Sequence, residues 1–211
     1  MSWERARSEE QVEYRVNEIL EATAKLYEEN RFEEITFVMI AKQAGFTRSN
    51  LYRYFKTKED IFLKLLSNDI SVWVEEIQEN FGEREMPLSD FTDLWVSTLL
   101  KHERMLEIYT ILNTLLEKHA TLDALVDFKR SLMANIDLSL GVLVKVLPTD
   151  HHRATEFLNA SIALATGMYP MMKLTSKQQK AAQAVGMEVS AEMATSMLES
   201  TTLSVLKGML R

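Results

Sequence analysis

The stretch GFTRSNLYRYF, residues 45–55, gathers two arginines, an asparagine, two small hydroxyl residues and two tyrosines into eleven positions. Gly45 opens the stretch, and glycine readily adopts the left-handed backbone that ends a helix. Thr47 follows two residues later, and threonine is a favourable N-cap residue for a new helix. The stretch therefore predicts a tight turn that leads into a short, polar helix ending near Phe55.

The residues before this turn predict its partner helices. Apolar residues recur at helical spacing over 9–30, and a second, short helix is expected over 36–44, starting at Thr36. The small residue Ala41 lets two helices approach, Gly45 makes the tight turn, and Leu51 anchors the second helix to the first. The pattern predicts a helix-turn-helix. We expect Phe46 to fill the turn and Leu51 and Phe55 to form the buried stripe of the last helix.

The residues left off that stripe carry the chemistry of DNA recognition. Arginine can bridge two acceptors on guanine, and asparagine can pair with the edge of adenine. Hydroxyl and lysine side chains suit phosphate oxygens, as do the N-termini of helices, where Thr36 and Thr47 lie. A solvated polar face on a helical hairpin is the alternative, and the short motif alone leaves the two readings about equal.

Charge is distributed unevenly along the chain. The whole chain has a net charge of -7 and a pI near 5.2, yet residues 42–64 hold six Lys/Arg against two acidic residues. A local basic patch on an acidic protein is compatible with binding a polyanion at one place.

The remainder of the chain predicts an all-α fold of about nine helices. Glycine and proline are scarce, no strand alternation is found, and Thr57 is expected to cap a long fourth helix over 58–81. We expect a DNA-binding domain over 1–57 and a larger helical domain over 58–211. Cysteine is absent, and neither a signal peptide nor a membrane span is found in the sequence, which favours the cytoplasm. Later helices are expected over 88–102, 121–147, 149–170 and 190–210. A further helix between the first two of these is expected to end near residue 118, and a loop or short helix is expected within 175–189.

The segment Ile19–Leu66 resembles the DNA-binding domain of TetR-family transcriptional regulators. The matching positions are Ile19, Ala22, Leu26, Phe32, Ile35, Thr36, Ile40, Ala41, Ala44, Gly45, Phe46, Thr47, Leu51, Tyr52, Tyr54, Phe55, Lys58 and Ile61. Arg31 departs from the family, which usually has glycine there, so we expect a differently shaped or strained turn.

The resemblance implies roles for individual residues of the helix-turn-helix. Base reading is assigned to Arg48, Ser49 and Asn50, and Arg53 is able to contact either bases or phosphates. Phosphate contacts are assigned to Thr36, Thr47, Tyr52, Tyr54 and Lys58.

The resemblance also implies a ligand pocket and a dimer interface in the larger domain. For each apolar candidate, ordinary core packing is the alternative. Asp137 is a candidate counter-charge for a cationic ligand, with a solvent-facing carboxylate as its alternative. The candidate ligand residues are Trp73, Phe91, Trp95, Tyr109, Asn113, Met133, Asp137 and Met168. The candidate dimer residues are Phe157, Leu158, Ser161, Ile162, Ala165, Met197, Thr201 and Val205.

The function implied is that of a ligand-responsive regulator, usually a repressor, which binds a palindromic operator as a homodimer and is released by a small, largely apolar molecule. An enzyme is disfavoured because the sequence has no nucleophile elbow, phosphate loop or cysteine-based metal set. No cofactor or metal is expected. His152 and Glu156 lie four residues apart, but two ligands are too few to hold a metal. A purely structural helical adaptor is a further alternative. It would not need Arg48, Asn50 and Tyr52 exposed together.

Overall fold

A computed structural model describes residues 2–82 and 86–210, with side chains from Glu10 onward. The described residues form an all-α structure of eleven α-helices and one π-helical segment, which confirms the predicted fold class with more helices than the nine expected. The α-helices are α1 (Ser2–Glu29), α2 (Phe37–Gln43), α3 (Arg48–Leu51), α4 (Lys58–Phe81), α5 (Leu88–Lys101), α6 (Glu103–Thr110), α7 (Glu117–His119), α8 (Leu122–Val146), α9 (His151–Met172), α10 (Ser176–Ala184) and α11 (Ala191–Met209). The π-helical segment is Leu112–Leu116.

The chain divides into two compact units. The first unit comprises residues up to Asn68 together with Leu112–Arg130, and the second comprises Asp69–Ile111 and Ser131–Arg211. This division differs from the predicted domains of 1–57 and 58–211, because the first unit also includes the start of α4 and the 112–130 segment. Helices α4 and α8 each contribute residues to both units.

Several helix bounds differ from the sequence-based expectations. Helix α1 begins at Ser2 rather than near residue 9, and α9 continues past Pro170 to Met172. The region expected to be one helix up to residue 118 is divided into α6, the π-helical segment and α7. No non-glycine residue of the described chain has a positive φ, so Arg31 is accommodated without left-handed backbone.

The core of the first unit lies under α1, α2 and the start of α4. Phe62 of α4 is fully buried and makes edge-to-face contacts with Tyr27 and Phe32, at 5.2 Å and 4.9 Å between ring centroids. Such pairs add about 0.5–1.5 kcal/mol beyond the burial of their area. This packing fixes the platform on which the helix-turn-helix is built.

The core of the second unit is aromatic. Trp95 of α5 lies within 5.4–5.8 Å, between ring centroids, of Trp73, Phe81, Phe91 and Phe157. All five side chains are at most 3% exposed. Helix α11 packs against both α9 and α5 and closes this core.

Within the described ranges, no single helix is both long and apolar enough to cross a membrane, and only α8 and α9 taken together as a bent pair reach that length and composition.

Candidate functional site

Local capping interactions shape the turn between α2 and α3. Thr36 and Thr47 cap the two helices, and each hydroxyl accepts a hydrogen bond from the backbone N–H three residues on. Gly45 has φ +72°, and the N–H of Phe46 bonds to the carbonyl of Ala41 at 2.8 Å. This pairing is the Schellman arrangement that ends helices at a left-handed glycine. The predicted roles of Gly45 and of both threonine caps are therefore confirmed.

Helix α3 turns its polar residues outward and its apolar residues inward. Leu51 is fully buried and Phe55 is 9% exposed, as expected for the anchoring stripe. The helix proper is shorter than expected, because α3 ends at Leu51 and residues 52–54 form turns. The candidate DNA contacts Thr36, Thr47, Arg48, Ser49, Asn50, Tyr52 and Arg53 are all exposed, and Tyr54 is partly buried.

A small cluster holds Tyr52 and Arg48 in position on this exposed face. The ring of Tyr52 stacks on Phe37 of α2, with 4.6 Å between centroids and 29° between planes. Arg48 Nη2 donates to the Tyr52 hydroxyl at 3.1 Å, and its guanidinium lies 5.5 Å from the ring centroid. No spacing in the sequence couples these three residues, because Phe37 lies in another helix.

Lys58 occupies a different environment from the one expected of a phosphate contact. Its Nζ donates to the carbonyls of Phe32 at 2.7 Å and Ile35 at 2.9 Å, and it lies 4.1 Å from the centroid of the Phe32 ring. Two of its three N–H donors are therefore used inside the first unit. This geometry connects the start of α4 to the α1–α2 turn, and the predicted phosphate contact of Lys58 would have to use its third N–H donor.

Asp60 is a buried carboxylate in the first turn of α4. Asp60 Oδ2 accepts from the backbone N–H groups of Lys56 and Thr57, at 3.2 Å and 3.1 Å. Asp60 Oδ1 accepts from the N–H and hydroxyl of Thr121, at 2.8 Å and 3.1 Å. One carboxylate thus ties the end of the helix-turn-helix and the start of α4 to the segment that precedes α8.

Arg15 of α1 was missed as a surface residue near the predicted site. Its guanidinium lies 5.9 Å from the Phe46 centroid and pairs with Glu18 at 2.6 Å. Together with Arg53 and Tyr54 it lines an open cleft of about 690 Å³. Sequence spacing alone could not reveal this cleft, because it depends on how α1 crosses the turn.

The candidate ligand residues fall into two groups. Trp73, Phe91 and Trp95 meet in the aromatic core of the second unit, and Tyr109 and Met168 are partly buried in the same unit. Asn113, Met133 and Asp137 are exposed. The exposure of Asp137 matches the solvent-facing alternative rather than a buried counter-charge.

The candidate dimer residues also separate by burial. Phe157, Leu158, Ser161 and Ala165 are at most 5% exposed and pack inside the second unit, so they offer no surface to a partner. Met197 is 47% exposed. The partly exposed members are Ile162, Thr201 and Val205. Helical periodicity could not separate these sets, because α9 and α11 are apolar on more than one face.

The described residues contain no group of three or more histidines, cysteines or acids placed to hold a metal ion. His152 and Glu156 lie 3.9 Å apart at an exposed position.

These features define a helix-turn-helix protein of the DNA-binding class with a second, helical unit. A family model described as "Bacterial regulatory proteins, tetR family" matches residues 19–65, and one described as "Tetracyclin repressor-like, C-terminal domain" matches residues 67–211. The second match alone covers more than half of the chain. The chain belongs to the TetR family of bacterial transcriptional regulators.

Individual relatives match part of the chain in sequence or share its fold. A fatty acid metabolism regulator protein of Bacillus subtilis (strain 168) is 33% identical over 67 residues, which are 32% of this chain and 34% of that protein. The chain thus matches about a third of that relative's length.

Solved structures share the fold, and two of them are FadR proteins. The fatty acid degradation regulator FadR of Bacillus halodurans has 15% identity and a TM-score of 0.60 over 92% of this chain and 95% of that one. The FadR repressor of Thermus thermophilus, bound to lauroyl-CoA, has 18% identity and a TM-score of 0.58 over 91% and 93%.

Proposed function

We propose that this protein is a ligand-responsive repressor that binds a palindromic operator as a homodimer in the cytoplasm. The observation that carries the proposal is the exposed face of α3, where Arg48, Ser49 and Asn50 project from a helix whose apolar side is fully anchored. A helix held in this way is suited to a DNA major groove. No enzymatic activity is proposed.

Contacts to DNA divide into two kinds. Arg48, Ser49 and Asn50 read base edges, because their donors and acceptors are exposed on α3. The caps at Thr36 and Thr47, together with Tyr52, Tyr54 and Arg53, contact the phosphate backbone. The bond from Arg48 to the Tyr52 hydroxyl restricts Arg48 before DNA arrives, which reduces the ordering cost of binding.

Binding-site selection with random-sequence DNA tests the base-reading assignment. Arg48→Ala is expected to lower discrimination at one or two positions of each half-site by about 1–3 kcal/mol, while the overall fold is retained. Lys42→Ala, which removes an exposed cation from α2, is the matched control and should leave the selected sequence unchanged. An unaltered selected sequence for Arg48→Ala would reject the assignment.

The effector proposed is a small, largely apolar molecule, and an acyl thioester is the first to test. The aromatic core of the second unit supports an apolar ligand. The choice of an acyl thioester draws on the fold shared with the Thermus thermophilus repressor, which was solved with lauroyl-CoA. Release must arise from different affinities of the effector for the DNA-bound and DNA-free states.

The chain crosses from one unit to the other at three places: in α4, at the start of the π-helical segment, and in α8. Such π-helical segments often occur at functional positions. A conformational change in residues 112–130 would reach the helix-turn-helix through Asp60, because Asp60 bonds both Thr121 and the start of α4.

Operator release by lauroyl-CoA, measured by fluorescence anisotropy with coenzyme A as control, tests the effector proposal.

A further inference from the structure

An open cleft of the first unit lies where the turn after α3 meets α1. Its lining comes from two separate parts of the sequence, the first half of α1 and the turn that follows α3. The lining residues are Glu10, Gln11, Val12, Tyr14, Arg15, Arg53 and Tyr54, around a volume of about 690 Å³. Arg53 and Tyr54 already belong to the proposed DNA-binding surface, so the cleft continues that surface onto α1.

Phe46, in the turn of the helix-turn-helix, contacts both sides of this cleft. The guanidinium carbon of Arg15 lies 5.9 Å from the centroid of the Phe46 ring, within the range of a cation–π contact. The Tyr54 ring meets the same Phe46 ring edge-on, with 5.9 Å between centroids and 86° between planes. Arg15 of α1 and Tyr54 are therefore held around one side chain of the helix-turn-helix.

The side chains of the cleft offer hydrogen-bond donors that the protein does not use. Within the described parts of the chain, no hydrogen bond joins the Arg53 guanidinium or the Tyr54 hydroxyl to another group of the protein. Arg15 Nη1 donates to Glu18 at 2.6 Å, which leaves most of the five N–H donors of this guanidinium available. A negatively charged group rich in acceptors would satisfy these donors.

We propose that the cleft receives the sugar–phosphate backbone of the operator and that Arg15 contacts a phosphate there. This inference rests on the proposed function and extends the DNA contact from the helix-turn-helix to α1. Phosphate oxygens accept strong, paired N–H bonds from arginine. Two arginines against the single carboxylate of Glu10 give the lining a positive charge, which attracts a polyanion. Such a contact adds affinity without reading the base sequence.

Two acidic residues beside Arg15 predict changes of the opposite sign. Glu10 lines the cleft and Glu18 is paired with Arg15, so both carboxylates repel an approaching phosphate. Glu10→Gln and Glu18→Gln are each expected to tighten DNA binding by about two- to fivefold at low salt. Weaker binding by both variants would contradict a phosphate in this cleft.

The main test measures affinity over a series of salt concentrations. The DNA is the duplex that binding-site selection recovers for the wild-type protein, together with a random duplex of equal length. Arg15→Gln is expected to weaken binding to both duplexes by about three- to tenfold and to lower the salt slope by about one unit for each Arg15 engaged. Arg15→Lys, which keeps the charge, should retain the slope.

Arg130→Gln is the matched control. Arg130 is an exposed arginine of the same unit that pairs with Asp127 at the same three-residue spacing, and it does not line the cleft. Its replacement should leave the affinity for both duplexes and the salt slope unchanged. A loss in Arg130→Gln equal to that in Arg15→Gln would contradict a contact specific to the cleft.

Neutral methylphosphonate groups, placed at one phosphate of the selected duplex at a time, separate contact from a structural role. At the phosphate that Arg15 contacts, the substitution should lower the affinity of wild-type protein and leave that of Arg15→Gln unchanged. Equal losses for the two proteins at every phosphate would overturn the contact and leave the proposed function intact. Wild-type protein that bound neither duplex would reject the proposed function and this inference with it.

Discussion

Tyr52 shows how one side chain can serve both the fold and the site. Its ring stacks on Phe37, which ties α3 to α2, while its hydroxyl accepts from Arg48. The hydroxyl retains its own proton as a donor, so it is still able to bond a phosphate oxygen. A residue that looks like a free phosphate contact in sequence thus also positions the base-reading arginine.

Lys58 carries the residue-scale prediction. Lys58→Met is expected to lower the free energy of unfolding by about 1.5–3 kcal/mol, because a hydrogen bond from a charged group is lost and the carbonyls of Phe32 and Ile35 are left without it. Urea denaturation measures the change. Lys42→Met is the matched control on an exposed lysine, and we expect it to stay within about 0.5 kcal/mol of wild type.

The predicted phosphate contact of Lys58 has a separate readout. If the third N–H of Lys58 contacts a phosphate, Lys58→Met lowers operator affinity for all sequences and the salt dependence of binding loses about one unit of slope. An unchanged free energy of unfolding in Lys58→Met would contradict the structural role of its bonds to Phe32 and Ile35.

At the scale of elements, the sequence predicted those helix ends that local chemistry determines. Gly45, Thr47 and Thr57 act through their own backbone and the next turn, so the ends of α2 and the starts of α3 and α4 were predicted closely. The π-helical segment at Leu112–Leu116 was not predicted, because its sequence is compatible with an ordinary α-helix. Helix α9 continues past Pro170 to Met172, although proline cannot donate a hydrogen bond to the preceding turn.

Gly45 and Gly141 provide a matched pair that tests the turn. Alanine at position 45 must adopt φ near +72°, so Gly45→Ala is expected to destabilise the protein by about 1 kcal/mol although no atom lies within 4 Å of the added methyl group. Gly141 lies inside α8 with equal space, and Gly141→Ala should stabilise by about 0.5–1 kcal/mol. The Tm of both variants, measured by thermal unfolding, gives the difference. Equal changes in Tm would contradict the role of Gly45 in ending α2.

A charge cluster joins α4 to the junction of α5 and α6 and predicts a pH dependence. Glu76 accepts from Lys101 at 2.9 Å and contacts His102 Nε2 at 2.8 Å. Burial alone raises the pKa of Glu76, but the hydrogen bonds and charges of Lys101 and His102 outweigh it and hold that pKa below its ordinary value. A lowered carboxyl pKa contributes stability above the unfolded-state pKa, and this contribution is lost as the pH falls through the folded-state pKa.

Glu76→Gln is therefore expected to reduce stability at neutral pH and to flatten the acid side of the stability profile. Unfolding by urea at a series of pH values from neutral downward measures this. The difference in free energy of unfolding between Glu76→Gln and wild type should shrink as the pH falls below about 4.5, the ordinary pKa of this carboxyl. Glu75→Gln, at an exposed neighbouring position, is the control, and a difference from wild type that does not depend on pH would contradict the cluster's role.

At the scale of the whole molecule, the sequence predicted the family and fold class better than it predicted contacts in the second unit. Helical periodicity shows that a face is apolar, but it does not show whether that face meets the core, a ligand or a second copy. Phe157 and Ala165 were expected at a dimer interface and instead lie in the core. Trp95 was expected to line a ligand site, and it lies at the centre of the aromatic core of the second unit.

We expect the dimer proposed for operator binding to use the side of α11 that the second unit leaves exposed. Ser196, Ser200, Ser204 and Gly208 are exposed at four-residue spacing, and Met197 is 47% exposed beside them. Small residues in such a stripe let two helices approach closely. Met197→Glu is therefore expected to shift the protein to monomer in sedimentation equilibrium at micromolar concentration, and to weaken binding to a palindromic operator far more than to a single half-site. Met187→Glu changes a methionine between α10 and α11 that is 59% exposed, and it should leave a dimer with full operator affinity. A Met197→Glu protein that stayed dimeric would move the interface to another surface.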